Sequence, residues 1–178
     1  AEDGIRDYKV TGVQTCALPI LEHFGLFSNR MVPLHPRYNI APTQPIAVVR
    51  RTMKPGGAER ELAHVVWGLI PSWAKDVSLG SKMINARSET VLEKPAYRHA
   101  FRRRRCLVPA DGFYEWKAVG RRKQPYWIHR PDRKVFAMAA IWEQWQNADG
   151  SELESCAILT TSANVLMQQV HEIGRAHV

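Results

Sequence analysis

Between residues 106 and 162 the chain is cut into apolar runs too short to be helices, and this constrains the fold more than anything else in the sequence. "CLVPADGFYEWK", "QPYWIHR", "VFAMAAIWEQW" and "SCAILTTSA" are rich in β-branched and aromatic residues, with Gly120 and Gly150 in the turns between them. The first of these reads as a strand interrupted by a Pro-Ala-Asp-Gly turn at 109–112. Upstream, a strand is expected at 46–50 and another at 62–71, closed by Pro71, with Pro55-Gly56-Gly57 as the turn between them. Residues 72–91 have loop composition with a strand-like pulse at Met83-Ile84. Helices are expected at 21–30, stopping near Gly25, at 93–105, and at 163–171. In the second, Ala96 and Ala100, with Tyr97 and Phe101, recur at the spacing of one helical face. Many short strands with few helices predict an α+β fold: one domain with a curved, largely antiparallel β core and short flanking helices.

A length of 178 residues suits one such domain, and 45% hydrophobic residues argues for a folded core. No apolar run approaches the ~18 residues of a membrane span, and no secretory signal precedes the domain, so no membrane partner is expected. Cys16, Cys106 and Cys156 are too few for a disulfide framework and too widely spaced for a zinc site. A cytoplasmic protein, acting as a monomer with no metal and no cofactor, is the expectation. Cys106 and Cys156 read as small buried hydrophobes.

The positive charge is local. Residues 98–134 hold 12 Lys/Arg against 3 Asp/Glu, whereas the rest of the chain holds 13 against 14. Two runs carry it, "RHAFRRRR" and "GRRKQPYWIHRPDRK", on either side of one aromatic strand. Such runs are often only solvated faces. Together with six tryptophans, they read as a phosphate-binding surface beside rings able to stack on bases.

Both ends of the chain look foreign to the domain. "EIGRAHV" at 172–178 and "VTGVQTCALPI" at 10–20 back-translate as the two strands of one common sequencing-library adapter. Residues 1–20 and 172–178 are therefore read as artefact, leaving 21–171 as the domain, truncated at both ends.

Within 21–171, polar residues stand in apolar or proline-shaped settings in four places: Arg37 and Asn39; Asn85, Arg87 and Glu89; Asp111 and Glu115; Thr160, Thr161 and His171. Taken singly, Glu115 is as well read as a solvent-facing strand residue, Asn85 as a turn residue and His171 as an ordinary histidine. Taken together, a carboxylate between Tyr114 and Trp116, an amide and an imidazole could move a proton and hold a substrate oxygen.

"PRYNIAPTQPI", "WGLIPSWAKD", "MINARSETV", "RRCLVPADGFYEWK", "KQPYWIH" and "FAMAAIWEQW" occur in the order that resembles the SOS response-associated peptidase family. The resemblance covers essentially all of 21–171. It implies a protein that crosslinks to abasic sites in single-stranded DNA. The agent is a cysteine exposed at the N-terminus by removal of the initiator methionine, whose thiol and α-amine close a thiazolidine on the opened sugar. Residue by residue, it implies Glu115 and His171 as catalytic groups and Asn85 as the residue positioning the sugar. Arg37 and Arg87 become phosphate contacts, Asn39 part of the DNA-binding loop, Pro42 and Trp73 a wedge beside the lesion, and Thr160 a polar neighbour of the site. The chain departs from the family at three places. Ala74 stands where a second wedge aromatic is expected, the Met-Cys-Gly-Arg start is absent, and "IGRAHV" replaces the Arg-Met-Pro after the His-Glu pair. The alternative is a non-catalytic single-stranded DNA-binding module. A general thiol protease finds no support, since no Cys-His nucleophile pattern is present.

Overall fold

The computed structural model describes residues 17–26, 37–52 and 60–170. Its elements are α1 (Ala17–Phe24), β1 (Pro45–Arg51), β2 (Arg60–Trp67), a 3-10 turn (Val77–Lys82), β3 (Asn85–Arg87), α2 (Pro95–Arg103), β4 (Arg105–Ala110), β5 (Gly112–Val119), β6 (Arg122–His129), β7 (Phe136–Gln146), β8 (Glu152–Thr160) and α3 (Val165–Val170). One sheet runs β2-β1-β4-β7-β8-β3, and a further pairing of β2 with β8 closes five of its strands into a barrel. All its pairings are antiparallel except β2–β8 and β3–β8. β5 and β6 form a separate two-stranded hairpin. The α+β fold with a curved, largely antiparallel core is thus the one the strand pattern predicts.

The barrel closes because its strands alternate. Ile46 and Val48, Val65 and Trp67, Cys106, Val108 and Ala110, Met138, Ala140 and Trp142, and Cys156 and Ile158 fall two residues apart and pack as one interior cluster. The intervening residues meet helices outside. Ile141 and Ala157 pack with Ala100 of α2, Leu69 and Met83, while Val49 packs with Ile20 and Phe24 of α1. α2 begins on Pro95, whose missing N–H costs nothing in the first turn, and ends with Arg104 N–H donating to Ala100 O at 2.7 Å.

Several expectations shift. The helix expected from residue 21 starts at Ala17 and ends at Phe24, where Gly25 takes φ 60°. Ile20, within the stretch read as foreign to the domain, is fully buried against Val49, so that stretch packs on the domain there; residues 1–16 lie outside the described ones. β2 ends at Trp67 rather than at Pro71, because Gly68 turns the chain at φ 136° and passes the backbone of Gly80. A Cβ on Gly68 would lie 2.6 Å from Gly80 O. Pro109 and Ala110 form no turn. They stay in β4, opposite Ala137 and Phe136 of β7, and only Asp111 separates β4 from β5. Proline is tolerated because β1 pairs with β4 only at Leu107 and Cys106, so no ladder is broken on that side.

Candidate active site and nucleic-acid surface

Strand direction decides which loops meet. β2, β3 and β8 run parallel to one another, with β1 and β7 antiparallel to β2 and β8 respectively, and β4 antiparallel to both β1 and β7. The C-terminal ends of β2, β3, β4 and β8 and the N-terminal ends of β1 and β7 therefore point the same way. The loop before β1, the loop after β2, the end of β8 and the root of the β5–β6 hairpin all open at this one end of the barrel. Those segments carry Arg37, Asn39, Pro42, Trp73 and Thr160; β3, which ends there too, carries Asn85 and Arg87, and Glu115 lies further along the hairpin in β5.

β3 and β8 hold three of these residues in register. Asn85 stands opposite Ile158 and Arg87 opposite Thr160. Alternation turns buried Ala86 toward the apolar layer under α2 and puts Asn85 and Arg87 on the other face, half-buried and exposed respectively. Tyr97 Oη donates to Asn85 O at 3.3 Å, tying β3 to α2. Thr160 is buried, its hydroxyl 3.5 Å from Ala86 O, and Ser88 N–H donates to Thr160 O at 2.8 Å. Thr161 donates to Glu89 at 3.0 Å; the hydrogen bond from its own backbone N–H, with lesser help from Thr161, holds that carboxyl below its ordinary value.

Glu115 sits in the middle of β5, opposite Tyr126, and is only 2% exposed. A carboxylate so deep in a two-stranded arm serves no packing purpose. One oxygen accepts Trp116 N–H at 3.2 Å. On the same face Phe113 meets Phe136 edge-on at 6.5 Å between centroids, which docks the hairpin on the barrel rim. α3 packs against β5, and its first turn is capped by Asn164 Oδ1, which accepts Met167 N–H at 2.9 Å. His171 follows α3 directly and lies outside the described residues.

The loop before β1 is braced by Arg37. Its guanidinium donates to Pro45 O and to Gln44 Oε1, both at 2.5 Å. Thr43, at φ 71°, donates its N–H to Trp67 O at 2.7 Å, and Trp67 N–H returns a bond to Gln44 O at 3.0 Å. Arg37 thus spends two nitrogens closing its own loop. Pro42 is buried and Asn39 exposed. In the loop after β2, Trp73 is 62% exposed, while its neighbour Ala74 is buried and accepts Trp145 Nε1–H at 2.7 Å.

The two basic runs do not form one surface. Ala110 ends β4 at the site end of the barrel, and Arg105 begins it at the other, about 16 Å away at the usual rise per residue. The "RHAFRRRR" run follows α2 away from the site. Arg104 is not solvated either: it forms an ion pair with buried Glu143, which His99 Nδ1 approaches at 3.6 Å. Only the second run, on the hairpin and the turn after it, lies with the site. Sequence reasoning also missed Arg50, which bonds Glu61 at 2.7 Å and Glu154 at 2.8 Å and lies 4.0 Å over the Trp142 ring. A charged residue inside an apolar strand was the available signal. Among the described residues, no group of three or more His, Cys, Asp or Glu could hold a metal ion, and no helix is long and apolar enough to cross a membrane.

Comparison with known proteins places this geometry. The chain is 41% identical over 157 residues to the abasic site processing protein YoqW of Bacillus subtilis (strain 168), covering 86% of this chain and 67% of that one. It is 43% identical over 138 residues to YoaM of the same organism, covering 77% and 59%, and 34% identical over 137 residues to HMCES of Xenopus tropicalis, covering 65% and 41%. The chain thus spans about two thirds or less of the length of these relatives. A crystal structure of a protein from Bacteroides thetaiotaomicron superimposes with a TM-score of 0.79 at 27% identity, covering 94% of this chain and 75% of that one. The family model for SOS response associated peptidase (SRAP) matches residues 13–176, and the chain belongs to that family.

Proposed function

We propose that this chain is the abasic-site-processing domain of a protein that crosslinks to abasic sites in single-stranded DNA. The observation that carries the reading is a buried carboxylate, Glu115, on an arm that leaves the barrel at the end where β3 and β8 align Asn85, Arg87 and Thr160. The relatives' names, abasic site processing proteins, point to the abasic site.

The chemistry requires few groups. The abasic sugar opens when its C1′–O4′ bond breaks and O4′ takes a proton, leaving an aldehyde. The α-amine of an N-terminal cysteine, exposed by removal of the initiator methionine, condenses with that aldehyde to an imine and releases water. The thiol then adds across the C=N bond, its proton passing to nitrogen, and a thiazolidine closes. Glu115 serves as the proton donor and acceptor for the sugar oxygen, buried enough to meet little competition from water. Asn85 holds the opened sugar by its amide. His171 assists proton transfer, chiefly in reversal. Arg87 binds phosphate, and Arg37 adds charge at the same end of the barrel while bracing the loop that presents Asn39 and Pro42. Trp73 supplies the exposed ring of the wedge and Thr160 a buried hydroxyl next to Arg87. On this reading the protein acts as a monomer in the cytoplasm and joins the nucleoid when bound to DNA.

The exposed, basic β6 favours a second reading, a single-stranded DNA-binding module without chemistry. An oligonucleotide carrying one abasic site separates the two. A protein with a Met-Cys-Gly-Arg start and an Arg-Met-Pro continuation after Glu172 forms a band that survives denaturing electrophoresis if the first reading is right, and only a reversible complex if the second is.

A further inference from the structure

β6 differs from every other strand. Its first six residues, Arg122 to Trp127, are all exposed, and among the described residues it pairs with β5 alone. The pleat sorts its side chains onto two faces. Tyr126 lies opposite Glu115 and shares its face; Trp127 lies opposite Tyr114, on the other. That second face is outside the site described above, and it is built around Trp127.

The indole is fixed from three sides. Beneath it is Gly112, where a Cβ would come 2.1 Å from Trp127 Nε1, so no side chain fits at that position. Beside it, the His129 ring lies 4.6 Å away, tilted by 42°. Over it, the Arg133 guanidinium sits 4.8 Å from the ring centroid. Arg133 takes φ 56°, an uncommon conformation for a side-chain-bearing residue, in a turn closed by its own N–H to Arg130 O at 3.1 Å. Asp132 is engaged by Arg130, with Nη2 to Oδ2 at 2.8 Å, which leaves Arg133 to the indole. Despite this support Trp127 remains 39% exposed. A large ring, held rigid and open to solvent, gains nothing for the core.

The charge around it selects the partner. Residues 112–134 carry seven Lys/Arg and two Asp/Glu, so the arm attracts a polyanion. A rigid exposed ring among cations suits an unpaired base, because stacking accepts any base and a duplex offers none of its faces. We propose that Trp127 and Arg133 form a second contact for single-stranded nucleic acid, on the face of the hairpin turned away from Glu115. One unpaired base stacks on the indole. The guanidinium it displaces takes the phosphate of the same nucleotide. The contact is independent of sequence and of the lesion, and it holds strand lying outside the abasic site. It rests on the DNA-binding part of the proposed function, not on the crosslinking chemistry.

The test uses the full chain and a fluorescein-labelled dT20, which has no abasic site, followed by polarisation across a salt series. Trp127→Ala is expected to weaken binding about tenfold or more, with the salt slope unchanged. Trp127→Phe, which keeps a ring over Gly112, stays within about threefold and guards against misfolding, with equal melting temperatures as the check. Arg133→Ala is expected to reduce the log–log salt slope by ~0.7, one phosphate contact. Binding of Trp127→Ala indistinguishable from the unaltered chain overturns the platform alone. Failure of the unaltered chain to bind dT20 even at low salt overturns the platform and the DNA-binding reading together. Equal competition by a duplex of the same length also overturns it, since a duplex cannot stack.

Discussion

The barrel and the hairpin use the same residue types for opposite ends. In β7 and β8 the inward positions Met138, Ala140, Trp142, Cys156 and Ile158 are apolar, and the strands are held by neighbours on both edges. In the hairpin the deepest side chain at the middle of β5 is a carboxylate, and the partner strand β6 is exposed along most of its length. Burying a carboxylate opposes folding, whereas burying Trp67 or Val108 drives it. On the proposed function, the barrel supplies the stability, and the hairpin, docked on it through Phe113 and Phe136, spends some of it on reactivity. Separating the two lets the arm and the loops vary without loss of the core.

If this division is right, substitutions in the two regions divide as well. The largest loss of stability is expected from Trp67→Ala. The ring is fully buried and its Nε1–H donates to Ile84 O at 2.9 Å, so truncation should cost about 3–5 kcal/mol, read from denaturant melts. Arg104→Ala comes next. It leaves buried Glu143 without its guanidinium, although Gln144 N–H still donates to Glu143 Oε1 at 3.0 Å, so a loss of about 3 kcal/mol is expected. The double variant Arg104→Met/Glu143→Leu should recover most of it; no recovery would show that Arg104 matters by packing rather than charge.

A smaller effect, counted per unit of pH, is expected in alkali. Burial pushes the Cys106 thiol up to about 12, against some opposition from Arg50, and raises Cys156 as well. Both thiols stay protonated in the folded chain while the unfolded chain ionises from its ordinary value near 9. The contribution of Cys106 is therefore complete below pH ~9 and is lost as pH rises toward 12, by up to about 1.4 kcal/mol per pH unit, and that of Cys156 falls with pH in the same direction. Melts of the chain and of Cys106→Ala/Cys156→Ala across this range should diverge in slope; parallel curves would contradict it. Smallest is the hairpin tip. Gly120 adopts φ 58° with open space around it, so Gly120→Ala should cost only about 1 kcal/mol. A cost equal to that of Trp67→Ala would erase the distinction between the two regions.

Where the sequence was legible, short apolar runs did most of the marking. "FAMAAIW" and "SCAILT" mark β7 and β8, which are covered by the barrel interior on one face and by helix and loop residues on the other, and the glycines at 120 and 150 mark the β5–β6 and β7–β8 turns. The reading failed where tertiary pairing overrides local punctuation. Pro109 looks like a turn but lies in β4 where β1 no longer pairs, and β2 stops at Gly68 for a backbone crossing with Gly80 that no local pattern announces. Charge misled in the same way. "RHAFRRRR" reads as one solvated or DNA-facing run, yet one of its arginines pairs with a glutamate 39 positions further on. The tryptophans divide by location rather than by context: Trp67, Trp142 and Trp145 are buried, Trp73 and Trp127 are exposed, and Trp116 is between. Asn85 and Glu115 stood out as polar residues in apolar settings, and only family resemblance gave them their proposed roles. A strand glutamate beside aromatics does not, by itself, announce that it is buried.

The central claim is that Glu115 performs chemistry on an abasic site while the barrel carries the fold. The direct measurement compares two proteins with a Met-Cys-Gly-Arg start in place of residues 1–16 and Arg-Met-Pro after Glu172, one unaltered and one Glu115→Gln. Each is incubated with a single-stranded oligonucleotide bearing one abasic site, and the denaturation-resistant adduct is followed in time. The account predicts an adduct with the unaltered protein, and a slowing of its formation or reversal by roughly 10²-fold in Glu115→Gln at an equal melting temperature. Equal rates in both, or a strong adduct from the chain that begins at Ala1, would contradict it.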